Sequence, residues 1–176
     1  MVEQRERRRD SFGALAYLSK RPEIDPNRIG VMGFSNGGLA VINALVPGLN
    51  DPASPQFAAG IALYPDCSGY IKLKLTAPLL ILIGEKDDWT PVSVCQRLID
   101  SVPQDSAAPT MEVYSGAHHA FDDETQRWTY LGAVFNPHKP IQSGATVAYD
   151  HAAHQASIGH VRQFVQKHLA ASKPAN

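Results

Sequence analysis

Apolar and polar positions alternate along the chain in a way that separates short buried strands from amphipathic helices. Four apolar runs read as strands: residues 28–33, with Ile29, Val31 and Met32, then 58–64, 79–84 and 111–114. The second and third are almost unbroken aliphatic sequence, the pattern of a parallel sheet covered on both faces. Phe12, Leu15 and Leu18 form a helical stripe ahead of the first strand, closed by Pro22 and the Asp25-Pro26 pair. A second helix is predicted from Ser35 and a third over 92–102. The last helix carries Val161, Phe164, Val165 and Leu169 at intervals of three and four.

The predicted order is therefore α-β-α-β-β-α-β-α, with an irregular stretch between the second and third strands. Strands alternating with helices define an α/β class: a mostly parallel sheet flanked by helices, right-handed crossovers, and a site at the carboxyl ends of the strands. Residues 122–148 show no clean period and contain Pro137, Pro140 and Gly144. They are expected to form a long loop with a helical turn around Trp128.

Composition narrows the classes. A chain of 176 residues with 44% hydrophobic and 19% charged residues suits one globular domain. Lys and Arg number 16 against 17 Asp and Glu, so charge gives no reason to expect a nucleic-acid partner. The mixed-sign run over 5–10 reads as a solvated helical face. No apolar stretch approaches the ~18 residues that span a bilayer, so no membrane partner is expected. No secretory leader is visible, and as written the sequence reads as cytoplasmic.

The chemistry concentrates at Gly33-Phe34-Ser35-Asn36-Gly37-Gly38, directly after a predicted strand and directly before a predicted helix. That context makes G-x-S-x-G a nucleophile elbow: a strained turn that projects the Ser35 hydroxyl from the top of the sheet. Gly33 and Gly37 are expected to let strand and helix approach closely. The Asn36 backbone N–H, at the new helix's N-terminus, faces any developing oxyanion.

A serine nucleophile needs a base, and the base an orienting acid. In an elbow fold these follow in the order serine, acid, histidine, each after a strand. The third strand runs into Glu85-Lys86-Asp87-Asp88-Trp89-Thr90-Pro91, and the fourth is followed by Gly116-Ala117-His118-His119-Ala120-Phe121. Spacing alone does not separate Asp87 from Asp88 or His118 from His119. The unused member of each pair is expected to face solvent or cap its loop. Trp89 either lines a substrate pocket or caps the core. Of the other histidines, His151 and His154 lie three apart on the last helix without a carboxylate or thiolate at ligand spacing, so a surface role is expected and no metal. His138 reads as a loop residue, and His160 and His168 as the exposed side of the helix.

These residues resemble the dienelactone hydrolase family of the α/β-hydrolase superfamily. The resemblance rests on Asp25-Pro26-Asn27-Arg28-Ile29-Gly30-Val31-Met32-Gly33-Phe34-Ser35, on the segment from Gly84 to Pro91, and on His119-Ala120-Phe121. It implies one truncated α/β-hydrolase domain over 1–176, corresponding to the C-terminal portion of the usual fold. It implies a triad of Ser35, Asp87 and His119; Asn36, Phe34 and Trp89 are the candidate oxyanion and substrate-binding residues beside it. The implied activity is hydrolysis of small carboxylic esters through an acyl-enzyme, with no cofactor. The family's namesake enzymes carry cysteine where this chain has Ser35, which points to its serine esterases. Two rival readings are a peptidase of the prolyl-oligopeptidase kind and a non-catalytic fragment.

Family members carry further strands ahead of the first helix seen here. Without them, the strand leading to Ser35 is expected to be a sheet edge. Such an edge pairs with another chain, as in a homo-oligomer, lies under the N-terminal helix, or promotes aggregation. Cys67 and Cys95 fall near the same end of adjacent strands, where a disulfide is geometrically allowed. Such a bond would place the protein in the periplasm or outside the cell.

Overall fold

The computed structural model describes residues 4–47, 55–70 and 72–170. Helix α1 (Gln4–Leu18) leads through a 3-10 turn at Pro26–Arg28 into strand β1 (Gly30–Phe34) and helix α2 (Asn36–Ala44). Strands β2 (Ala59–Leu63) and β3 (Leu79–Gly84), helix α3 (Val92–Ser101) and strand β4 (Pro109–Tyr114) follow. The chain ends in strands β5 (Thr129–Phe135) and β6 (Ser143–Val147) and helix α4 (His151–Leu169). Strands β1 to β4 pair in sequence order, all parallel. The result is a four-stranded parallel sheet flanked by helices, the α/β arrangement expected from the sequence.

The two central strands explain their aliphatic sequence. Every residue of β2 and β3 is buried, so neither face tolerates a polar side chain. β1–α2–β2 and β3–α3–β4 advance in the same direction across the sheet, so right-handed crossovers put α2 and α3 on one face. A side chain at Gly60 would meet Val41 of α2 and Leu45 at its C-terminal cap, while one at Gly30 would meet Leu169 of α4. Gly30 pairs with Ala59, the neighbour of Gly60, so α4 covers the opposite face.

Among the described residues β1 pairs with β2 alone, and Met32 and Phe34 on it are exposed. Within these residues β1 is the sheet's outermost strand. Among the same residues no helix is long and apolar enough to cross a membrane.

Four expectations require correction. Residues 122–148 are not a loop with a helical turn at Trp128; they contain the antiparallel β5–β6 hairpin. A register shift between Leu131 and Phe135 breaks the two-residue alternation by which a strand is recognised. On α4 the buried positions are Ala153, Ser157 and Phe164, whereas Val165 is exposed. His160 is not on the free side of that helix: its Nδ1 lies 3.0 Å from the Tyr114 hydroxyl. Nor is the charged run of α1 wholly solvated. Arg8 is buried, donates to the Val46 carbonyl at 3.1 Å and lies over the Phe12 ring.

Candidate active site

Ser35 sits between β1 and α2 with φ of 50° and ψ of −117°, a conformation disfavoured for any residue with a side chain. The turn is this tight because strand and helix backbones touch. A Cβ at Gly33 would collide with the carbonyl of Gly37. The reason for glycine at 37 is therefore not the one expected: a Cβ there would meet nothing within 4 Å. The second close approach is at Gly38, where a Cβ would lie 3.0 Å from the Leu63 carbonyl oxygen.

Asp87 and His119 arrive from neighbouring strand ends. A Cβ at Gly84, the last residue of β3, would overlap the Ala117 carbonyl, so the acid and histidine loops meet only because that residue is glycine. Lys86 N–H donates to Ala117 O at 2.8 Å across the same junction. Beyond it the side chains line up. His119 Nδ1 is 2.8 Å from Asp87 Oδ2, and His119 Nε2 is 3.0 Å from Ser35 Oγ. A buried carboxylate accepts only, so Nδ1 carries the imidazole proton and Nε2 is left to accept from the serine hydroxyl.

The surroundings fix that pair. The side chains of His119 and Asp87 are 4% and 0% exposed, so neither exchanges its partner for bulk water. Asp87 Oδ1 accepts from the backbone N–H groups of Trp89 (2.9 Å) and Thr90 (2.8 Å), and Oδ2 also from Thr90 Oγ1 (2.9 Å). The imidazole lies against the rings of Tyr64 and Trp89, at 4.5 and 5.0 Å between centroids. Tyr64 has a positive φ of 37°. Burial, followed by its hydrogen bond to Asp122, pushes its pKa far up, so it stays a neutral donor to Asp122 Oδ1 at 2.7 Å.

The second members of the doubled pairs lie elsewhere. His118 Nδ1 contacts the Lys86 carbonyl at 3.0 Å. Asp88 does not simply face solvent or cap its own loop: it reaches to the β5–β6 hairpin and accepts from Thr146 N and Lys139 Nζ. Phe34 is exposed beside Ser35, with its ring 6.4 Å from that of Tyr64. Asn36 begins α2, where its N–H has no intrahelical acceptor. Trp89, besides its contact with His119, donates its indole N–H to Phe135 O at 3.0 Å. Thr90 and Tyr64 were missed in the sequence. Thr90 three residues after Asp87 is the one signal that could have been used, as a side chain able to turn back on the acid.

Cys67 and Cys95 are joined as a disulfide, with Cα atoms 4.9 Å apart. The bond ties the loop after β2, which begins at Tyr64, to α3.

A serine, histidine and aspartate in one hydrogen-bonded line above a parallel sheet define the α/β-hydrolase class of architecture. The family profile of dienelactone hydrolases matches residues 1–169, and the chain belongs to that family. A curated relative from Bradyrhizobium sp, named "Probable 2-oxo-3-(5-oxofuran-2-ylidene)propanoate lactonase", is 24% identical over 133 residues. The match covers 65% of this chain and 48% of the relative, so the chain spans about half the length of that protein. Among solved structures, esterase Est2 of Thermogutta terrifontis superposes with a TM-score of 0.65 at 17% identity, covering 99% of this chain and 68% of its own. A dienelactone hydrolase-like promiscuous phosphotriesterase from metagenomic libraries gives 0.65 at 17% identity, with coverage of 96% and 64%. At such identities these two establish a shared fold.

Proposed function

We propose that the chain is a serine hydrolase of small carboxylic esters acting through an acyl-enzyme on Ser35. The observation that carries this reading is the continuous line from Ser35 Oγ through His119 to Asp87, with bonds of 3.0 and 2.8 Å. His119 Nε2 takes the hydroxyl proton as Ser35 Oγ attacks the ester carbonyl carbon. Asp87 holds the imidazolium that forms, and the Asn36 N–H at the start of α2 faces the tetrahedral oxyanion. Collapse breaks the acyl–oxygen bond, and the leaving alcohol departs with the proton from Nε2. Water, deprotonated by the same nitrogen, then releases the carboxylic acid and regenerates Ser35. No step calls for a metal or organic cofactor.

The family membership and the esterase among the structural neighbours support the reaction class. Phe34 and Trp89, beside Ser35 and His119, are the substrate-side residues in this reading. The disulfide supports an oxidising compartment, periplasmic or extracellular. A second reading keeps the line of three assembled with negligible turnover: Asn36 N–H is the one oxyanion donor identified among the described residues, and a missing donor costs about 10²–10³ in rate.

Hydrolysis of p-nitrophenyl acetate and butyrate, measured beside Ser35→Ala, tests both. A burst and steady turnover lost in the variant support the esterase. Equal rates in the two proteins overturn it and leave the inert reading.

A further inference from the structure

The β5–β6 hairpin forms its own two-stranded sheet, yet its polar contacts reach loops of the parallel sheet, His138 in its turn lying 3.2 Å from Ser68 Oγ and the others going to the acid and histidine loops. On the acid side, Asp88 Oδ1 accepts from Thr146 N at 2.7 Å, and Oδ2 from Thr146 Oγ1 at 3.3 Å and Lys139 Nζ at 2.6 Å. Asn136 Nδ2 donates to the Asp88 carbonyl at 2.7 Å, and Trp89 Nε1 donates to the Phe135 carbonyl at 3.0 Å. On the histidine side, Val147 forms a parallel bridge with His119 itself, and Ala148 N donates to the His119 carbonyl at 3.0 Å. One element therefore grips the two residues after Asp87 and the backbone of His119.

Asn136 is where the grip is tightest. It is fully buried, and its amide hydrogens go to Asp88 O and Gly144 O, both at 2.7 Å. Its Oδ1 accepts from His138 N at 3.0 Å. The same side chain thus closes the hairpin's own loop and ties it to the acid loop. A buried amide with these bonds satisfied holds its surroundings in one arrangement, because breaking any of them strands a polar group away from water.

We propose that the hairpin is a splint that sets the distance between Asp87 and His119, and that Asn136 is a positioning residue for that pair. The proposal rests on the reading of Ser35, His119 and Asp87 given above. The parallel sheet fixes the strand ends, and Lys86 N–Ala117 O joins the loops at their base. The hairpin holds their outer turns, starting at the residue after Asp87. Ser35 and Phe34 are placed separately, by β1 and α2, so loosening the splint misaligns acid and base while leaving the nucleophile in place.

The test uses the full chain and three variants, with the folded fraction of each measured by near-UV circular dichroism so that rates refer to folded molecules. Asn136→Ala and Asp88→Asn remove splint contacts. Val161→Ala, a partly buried position on α4, supplies a loss of packing away from the site. Asn136→Ala is expected to slow acylation by p-nitrophenyl acetate by about 10–10²-fold, with the substrate concentration that half-saturates the acylation rate within about twofold. It should also shift or broaden the low-field proton resonance of His119 Nδ1–H. Asp88→Asn should do the same to a smaller degree, and Val161→Ala should leave both readouts at wild-type values. Wild-type acylation and an unmoved resonance in both splint variants would overturn the proposal, as would equal slowing in Val161→Ala. A wild type that gives the resonance but no acyl-enzyme refutes the esterase reading, and the splint then stands or falls on the resonance in the variants. A wild type with neither overturns both.

Discussion

Asp87 and Asp88 are consecutive residues whose carboxylates serve different elements. Asp87 Oδ2 meets His119 Nδ1 at 2.8 Å, while Asp88 Oδ1 meets Thr146 N at 2.7 Å. The first is sealed from solvent and the second half-buried. One loop thus supplies both the acid of the candidate site and the anchor for the hairpin beside it, and the two roles separate by substitution.

Asp87→Asn keeps the side chain's shape and an acceptor for the Trp89 and Thr90 N–H groups, but its amide presents a donor toward Nδ1. The imidazole is then driven to the tautomer with its proton on Nε2, which cannot accept from Ser35. Ester hydrolysis should fall by about 10⁴ in kcat, with little change in the midpoint of thermal unfolding. Retention of wild-type kcat in this variant would remove Asp87 from the mechanism.

Asp88 gives a pH-dependent term whose sign follows from its surroundings. Partial burial by itself would raise its pKa; the Lys139 ammonium and the Thr146 N–H and hydroxyl outweigh it and hold the carboxyl below its ordinary value. A pKa lower in the folded than in the unfolded state contributes stability that is complete above the unfolded value of about 4. That contribution fades as pH drops through the folded value. Urea midpoints for wild type and Asp88→Asn should therefore differ at pH 6, with the difference shrinking as pH falls below about 4. For a pair this exposed the difference should be below about 1 kcal/mol.

The two glycines of the elbow should respond in opposite directions. Gly33→Ala drives a methyl into the Gly37 backbone and should cost about 1–3 kcal/mol as well as displacing Ser35. Gly37→Ala places its methyl in open space on α2, where alanine is the better helix former by about 0.5–1 kcal/mol. Paired unfolding curves check this, and destabilisation by both to the same extent would mean that the elbow is packed differently.

Reduction of Cys67–Cys95, or Cys67→Ser with Cys95→Ser, opens a loop whose ends are 28 residues apart. The chain-entropy account assigns such a crosslink about 3–4 kcal/mol. Guanidinium midpoints with and without reductant should show that loss in the wild type and none in the double variant.

Much of this was legible in the chain because the constraints are local. A buried parallel strand must be aliphatic throughout, so β2 and β3 announced themselves. The elbow needs small residues beside a serine between strand and helix, so Ser35 stood out, and the order of acid and histidine after β3 and β4 followed. The hairpin did not stand out. Its register shift breaks the alternation, and its polar residues are those of an ordinary loop until Asn136 and Thr146 meet Asp88.

What the sequence determined by itself was the class of fold and the types of group at each strand end, because strand burial and turn chemistry act over a few neighbouring residues. Only the tertiary structure decided which carboxylate of two meets which imidazole of two, and that Gly33 rather than Gly37 is sterically forced. It alone showed Tyr64 and Trp89 against His119. Those outcomes depend on the direction in which side chains leave loops that are distant in sequence, and that direction is set by hydrogen bonds and close contacts between separate elements.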